Sequence, residues 1–232
     1  RHGMNEAIAR LSTGVRAMYG GDAGGASAAM QIRADGKSAA IAARNIEDGI
    51  SFMQAGESLL LELAALNTRL RELRVQDLNA DTLSAGDEAA ISAEEDAVLA
   101  AGNLIDKAKF NGADLLGGTV AITYDHDGSM TTLSSDATIT LADTSISVID
   151  GVTTDIQEAL GEMAAGMSAL KGHQAANYAL AANFEAAAAR IADTDFARSS
   201  ANLAKFSILN QSAMAMVSQA NQAQAAVLAV LQ

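Results

Sequence analysis

The stretch SLLLELAALNTRLRELRVQ, residues 58–76, decides the fold. Leu59, Leu63, Leu66, Leu70 and Leu73 recur at steps of 4, 3, 4 and 3, the period of a heptad seam. Such a seam has to bury its face against other helices, and each leucine withdrawn from water contributes roughly 1.5–3 kcal/mol. Arg69, Arg71, Glu72 and Arg74 fall between the leucines and form a charged outer face. Glu–Arg pairs there add only tenths of a kcal/mol, but a charged strip on a rigid helix also suits docking of another protein.

Outward from the seam, the same helix is expected to begin near Ala26 and to end near Asn79. A shorter helix precedes it over 4–18, with Ile8, Leu11 and Val15 on one face and Gly14 as a weak point. Between the two lies YGGDAGGASA (19–28), containing Gly20, Gly21, Gly24 and Gly25. A phosphate loop would need a strand before these glycines and Lys with Ser or Thr after them. Here a helix precedes, and Ala26 and Ser27 follow. The cluster therefore reads as a connector whose backbone must bend tightly.

Downstream, NADTLSAGDEA (79–89) is a turn in which Ser84 or Asp87 can cap the next helix, expected from about Asp87 to Lys109. Ile91, Val98 and Ile105 repeat every seven residues there, with Glu94 intruding. FNGADLLGG (110–118) breaks that helix. From 119 to 154 the texture turns to Ser, Thr and Asp with alternating apolar residues. TVAITYDHDGSMTTL reads as a hairpin with DHDG (125–128) at its tip, and ATITLADTSISVI as one or two further strands. Helix then returns with Ile156, Leu160, Met163, Met167 and Leu170 at steps of 4, 3, 4 and 3, continuing through Leu180, Phe184, Ala187 and Ile191. A last helix is expected over about Asp195–Leu231, with Leu203, Phe206, Ala213, Val217, Ala220, Val227 and Leu231 on one seam and Asn210 and Gln224 as polar insertions.

Composition agrees with long helices and restricts the function. The 232 residues contain no proline, half are apolar and only 3% are aromatic. Nothing interrupts a helix, and close packing of small aliphatic side chains is favoured over large ligand pockets. A net charge of −13 argues against a nucleic-acid partner. The absence of cysteine excludes disulfides and thiol chemistry. No membrane span and no signal peptide are expected, and the chain opens at Arg1 rather than Met. No enzyme activity, metal or cofactor is expected. DHDG lacks the spaced oxygens of a calcium loop, and His2, His126 and His173 have no zinc spacing. Glu94, Glu95 and Asp96 point to different sides of a helix and make no carboxylate pair.

Several stretches together resemble bacterial flagellin. RLSTGVR (10–16) followed by DAGGASA (22–28), ARNIEDGISFMQAGE (43–57), LRELRVQ (70–76), KFNGADLL (109–116) and the run from 189 to 232 are collinear with family segments. The resemblance implies a mainly α fold, a long-helix coiled-coil bundle with a small β-hairpin insert. Residues 1–18 and 192–232 would be inner coiled-coil core helices, 19–28 the connector, and 29–191 an outer helical shell with the insert at about 119–154. Leu11, Val15, Leu203, Phe206, Ala213, Val217, Ala220, Val227 and Leu231 would pack the polymer core, and Leu59, Leu63, Leu66, Leu70 and Leu73 the outer-shell seam.

The same resemblance implies a secreted, extracellular subunit of the bacterial flagellum that forms a helical homopolymer with itself for swimming motility. Its further implied partners are a flagellar export chaperone, cap or junction proteins, and Toll-like receptor 5, for which Arg69, Glu72 and Leu73 match the recognised segment. Arg74 and Asp77 depart from that segment, and Glu94 lies near rather than at its expected place. Other departures are Gln224 where the family often has proline, Gly20 and Gly21 where it has polar residues, and only nine residues ahead of RLSTG. Those nine are fewer than the family carries, so part of the inner N-terminal helix is expected to be missing from this sequence. A hook–filament junction protein, or a cell-surface binding protein on a flagellin-like scaffold, are the alternative readings.

Overall fold

The computed structural model describes residues 2–16, 22–134 and 139–230, apart from the side chains at 80, 134 and 227–230. Five helices dominate: α1 (His2–Thr13), α2 (Ala23–Asp77), α3 (Ala85–Ile105), α4 (Ile146–Ala192) and α5 (Phe196–Val230). Two short hairpins lie between α3 and α4, formed by β1 (Lys109–Phe110) with β2 (Ala113–Asp114) and by β3 (Thr119–Thr123) with β4 (Met130–Ser134). The chain divides into two compact units, 37–181 and 1–36 with 182–232.

The core of the 37–181 unit is built on the leucine seam, which is broader than two positions per heptad. Leu63, Leu70 and Leu73 are fully buried as expected, whereas Leu59 and Leu66 are only half-buried. Leu60 and Asn67 take the deeper positions beside them. A helix enclosed by several neighbours buries a wide stripe rather than a two-residue edge. Opposite it, α4 contributes Ile149, Ile156, Met163 and Leu170.

Glycines let these helices approach. A Cβ at Gly56 would stand 2.6 Å from Met163 Cε, and one at Gly166 would stand 2.5 Å from Met53 Cε. Each helix thus seats a methionine in the glycine notch of the other. The β3–β4 hairpin docks the same way, since a Cβ at Gly49 would meet Ile122 Cδ1 at 2.2 Å and Leu133 Cδ1 at 3.2 Å.

Ser84 and Asp87 both act at the start of α3. The Asp87 backbone N–H donates to Ser84 Oγ at 3.3 Å, and the Ser84 N–H donates to the Asp87 carboxylate at 3.1 Å. This reciprocal capping box starts the helix at Ala85, two residues ahead of the expected start.

Two expectations for the insert need correction. FNGADLLGG does not end the helix, since α3 stops at Ile105 and Lys109 already belongs to β1; instead Asn111 (φ 49°) and Gly112 (φ 84°) make the two-residue turn of the β1–β2 hairpin. Asn-Gly supplies the two positive φ angles that such a turn requires. Lys109 and Asp114 then face each other across the pair, 2.7 Å apart. Conversely, ATITLADTSISVI forms no strand among its described residues. Ile139 and Leu141 join the core from a segment without regular secondary structure, and α4 already begins at Ile146. The period-two pattern there marks burial of alternate side chains without a ladder partner. The β3–β4 hairpin itself forms as expected, with Thr119 opposite Ser134 and Thr123 opposite Met130.

Candidate assembly surface

In the other unit, α1 and α5 pack side by side. A Cβ on Gly3 would come within 2.6 Å of the Phe206 ring, so the absence of a side chain lets the outer end of that ring reach α1. Ala7, one turn further along α1, is buried. Gly14 (φ 71°) takes the left-handed conformation that ends α1.

The chain then pairs with the segment between α4 and α5. Val15 bridges Asp193, the Arg16 N–H donates to Ala192 O at 2.7 Å, and the Thr194 N–H donates to Gly14 O at 2.8 Å. Arg16 also reaches Ile191 O through Nε at 3.1 Å and the Asp22 carboxylate through Nη2 at 2.6 Å. The other oxygen of Asp22 caps the first turn of α2 by accepting the Gly25 N–H at 2.8 Å. That backbone bond, with Arg16 beside it, holds the Asp22 carboxyl below the usual carboxylate range.

Of the connector glycines, Gly20 and Gly21 lie outside the described residues. Gly24 and Gly25 belong to the first turn of α2, which begins three residues earlier than expected. A side chain at Gly25 would sit 2.4 Å from the Asp22 carboxylate, so this glycine makes room for the cap.

Along α5 the burial changes abruptly. Leu203 and Phe206 are half-buried, as are Leu11 and Val15 on the partner segment. From residue 211 to 226 every position is exposed, including Ala213, Val217 and Ala220. Val227 lies in α5, with its side chain outside the described set, and Leu231 lies outside it altogether. Ile208, Met214, Met216 and Val217 are 62%, 65%, 72% and 61% exposed. No charged residue follows Lys205. A bare, uncharged helix that shows Ile, Leu, Met and Val to water is unusual for a lone soluble domain and marks a surface to be covered. Among the described residues no helix is long and apolar enough to cross a membrane.

The charged outer face of α2 is partly spoken for. Arg69 donates to Glu94 of α3 at 2.6 and 2.8 Å and to Glu72 at 3.0 Å, so both acids raise its pKa. Arg69 and Glu72 stand on the surface, but Leu73 is 1% exposed and belongs to the core. The expected receptor face of Arg69, Glu72 and Leu73 therefore reduces to its two charged members, with Glu94 across from them.

Sequence reasoning missed the buried polar residues that tie elements together. Asn67 donates through Nδ2 to Ile149 O at 3.0 Å and to Thr153 Oγ1 at 2.9 Å. Asn177 donates to Tyr124 O at 2.7 Å, anchoring the β3–β4 hairpin on α4. The run Leu59, Leu63, Leu66, Leu70 and Leu73 passes Asn67 unbroken, so nothing local in the sequence marks either residue.

The sequence of the chain is similar to that of known proteins. The family model described as the bacterial flagellin N-terminal helical region matches residues 1–121, and that of the C-terminal helical region matches 146–231. The flagellin of Halalkalibacterium halodurans is 31% identical over 249 residues, covering 97% of this chain and 91% of that protein. The flagellar filament 33 kDa core protein of Treponema phagedenis is 29% identical, covering 96% and 90%. The flagellin of Bacillus subtilis is 27% identical, covering 92% and 88%. With both terminal helical regions matched and a relative above 30% identity along nearly the whole chain, this protein belongs to the bacterial flagellin family.

Proposed function

We propose that this chain is a structural subunit that polymerises with copies of itself into a bacterial flagellar filament and so serves swimming motility. The observation that carries the reading is the exposed, uncharged stretch of α5 beyond Lys205. Covering Ile208, Leu209, Met214, Met216 and Val217, each at least half exposed, would return roughly 1–2 kcal/mol apiece. Repeating contacts between copies would cover so long a stripe, and a helical polymer presents the same stripe to each new copy.

Export in an unfolded state, with α5 ordering fully on assembly, would be compatible with the same feature, because an isolated apolar helix gains most of its stability from packing. An export chaperone and cap or junction proteins would engage this helix before or during assembly. Toll-like receptor 5 recognition would rest on Arg69 and Glu72.

Deletion of 200–232 tests the reading. The truncated chain should stay folded in its 37–181 unit and remain soluble, and it should form no filaments under electron microscopy. Filaments formed by the truncated chain would remove α5 from the assembly role. Failure of the intact chain to self-assemble would instead favour the hook–filament junction alternative.

A further inference from the structure

The tip of the β3–β4 hairpin brings together Asp125, His126 and Asp127, whose ligand-type atoms all lie within 4.8 Å of one another. Their arrangement is ordered. Asp125 Oδ1 lies 2.6 Å from His126 Nδ1 and also accepts the His126 backbone N–H at 2.7 Å. On the far side of the ring, His126 Nε2 stands 3.2 Å from Asp127 Oδ1.

These are the parts of a carboxylate–histidine–metal triad. A metal-binding imidazole commonly donates its other N–H to a carboxylate, which fixes the tautomer and raises the basicity of the ligating nitrogen. Asp125 fills that role at Nδ1 and turns the lone pair of Nε2 toward Asp127. Two ligands on one tetrahedral zinc ion, each at its ordinary bond length, are about 3.3 Å apart. The separation of Nε2 and Asp127 Oδ1 matches this spacing.

The loop is held for the purpose. The Tyr124 N–H donates to Ser129 O at 3.0 Å and the Gly128 N–H to Asp125 O at 3.2 Å. Asn177 of α4 grips Tyr124 O from beneath. Asp127 is 72% exposed, which leaves an open approach. Ser38, Asn45 and Lys37 of α2 line the adjoining groove. The two side-chain oxygens there can accept water of the coordination shell, and Lys37 works against the ion's charge.

We propose that the hairpin tip is a binding site for a borderline divalent cation of the zinc, nickel or copper class. His126 Nε2 and Asp127 would be ligands, Asp125 the orienting carboxylate, and water would fill the remaining positions. One imidazole with carboxylates selects this class. Calcium, which needs six to eight oxygens, is not served by it. With only two protein ligands the site is open and weaker than a structural zinc centre.

The test is a titration of the purified full-length chain with Zn2+ alone, followed by the ring resonances of His126 and by calorimetry. One saturable site is expected below about 1 mM. His126→Ala and Asp127→Asn should abolish it, and Asp125→Asn should weaken it by about 10–100-fold. His173→Ala should leave it intact, and an unchanged thermal melt in each variant shows that the exposed turn still folds. Absence of saturable binding overturns the proposal, as does binding that survives His126→Ala or is indifferent to Asp125→Asn.

Discussion

Asn67 sits at a position of the seam where an apolar residue would be the plain choice, yet it is 3% exposed. Its amide nitrogen joins α2 to the first turns of α4 through Ile149 and Thr153, while its Oδ1 is buried without a hydrogen-bond partner. A polar group in a helix seam fixes register at some cost in stability. Asn67→Ala removes both bonds and leaves a cavity, so a loss of about 2 kcal/mol is expected in chemical denaturation.

Glu95 presents the opposite case. It is 6% exposed on α3, with Oε1 lacking a hydrogen-bond partner. Burial raises its pKa, helped by the nearby Asp77 and Asp96 and opposed by Arg74. A carboxyl whose folded-state value lies above its ordinary 4.5 destabilises the fold when ionised. Stability from this residue is therefore gained as pH falls through the raised value toward 4.5 and lost as pH rises. Glu95→Gln should raise the melting temperature at pH 7 and leave it nearly unchanged at pH 4. A melt that drops at pH 7 would show that the charge is held by an interaction rather than merely tolerated.

At the scale of elements, glycine notches make two substitutions diverge. Gly49→Ala and Gly166→Ala each gain about 1 kcal/mol of helix propensity. At Gly166 the new methyl meets only the flexible end of Met53, which can move aside. At Gly49 it meets the tips of Ile122, Leu133 and Leu170 together, which are fixed by the hairpin and by α4. Overpacking of that kind costs about 1–3 kcal/mol. Gly166→Ala should thus be close to neutral or stabilising, and Gly49→Ala should destabilise and loosen the hairpin, seen as faster amide exchange at Ile122 and Leu133.

The cap of α3 gives a pH dependence of the reverse sign to Glu95. Hydrogen bonds from Ser84 hold the Asp87 carboxyl below its ordinary value of 3.8. The contribution of that cap is complete above 3.8 and is lost as pH falls through the depressed value. Ser84→Ala should cost about 1 kcal/mol at neutral pH and weaken the acid sensitivity of α3.

Most of these elements were legible beforehand because their signals are local and repeated. The leucines of α2, the capping pair at Ser84 and Asp87 and the hairpin at 119–134 all declare themselves within one or two turns of chain. The deeper burial of Leu60 and Asn67 over Leu59 and Leu66 was not legible, since it depends on how many neighbours enclose α2. The alternating run at 137–149 misled because periodicity reports burial and cannot report whether a partner strand exists. The convergence of Asp125 and Asp127 on opposite nitrogens of His126 needed the geometry of the turn, whereas their adjacency was visible.

For the whole molecule, the decisive contrast is between a core that is closed and a helix that is not. The 37–181 unit has one contiguous core of leucine, isoleucine, valine and methionine side chains, with a few such as Leu61, Leu104 and Met130 left on its surface. In α5 the apolar side chains from Ile208 to Ala226 remain in water, and no charge after Lys205 opposes their burial. Such a chain can be stable alone through its core and still need other copies to satisfy its C-terminal helix.

This separation makes the central claim directly measurable. Val217 is 61% exposed, so Val217→Asp should alter the stability of the isolated chain by no more than about 0.5 kcal/mol. Buried among copies, the same carboxylate would be an unpaired charge in an apolar interface. The measurement is electron microscopy and sedimentation of Val217→Asp beside the unaltered chain, at equal concentration and matched melting temperature. Long filaments are expected from the unaltered chain and none from the variant; filaments of equal length and yield from both would show that α5 is not buried between copies.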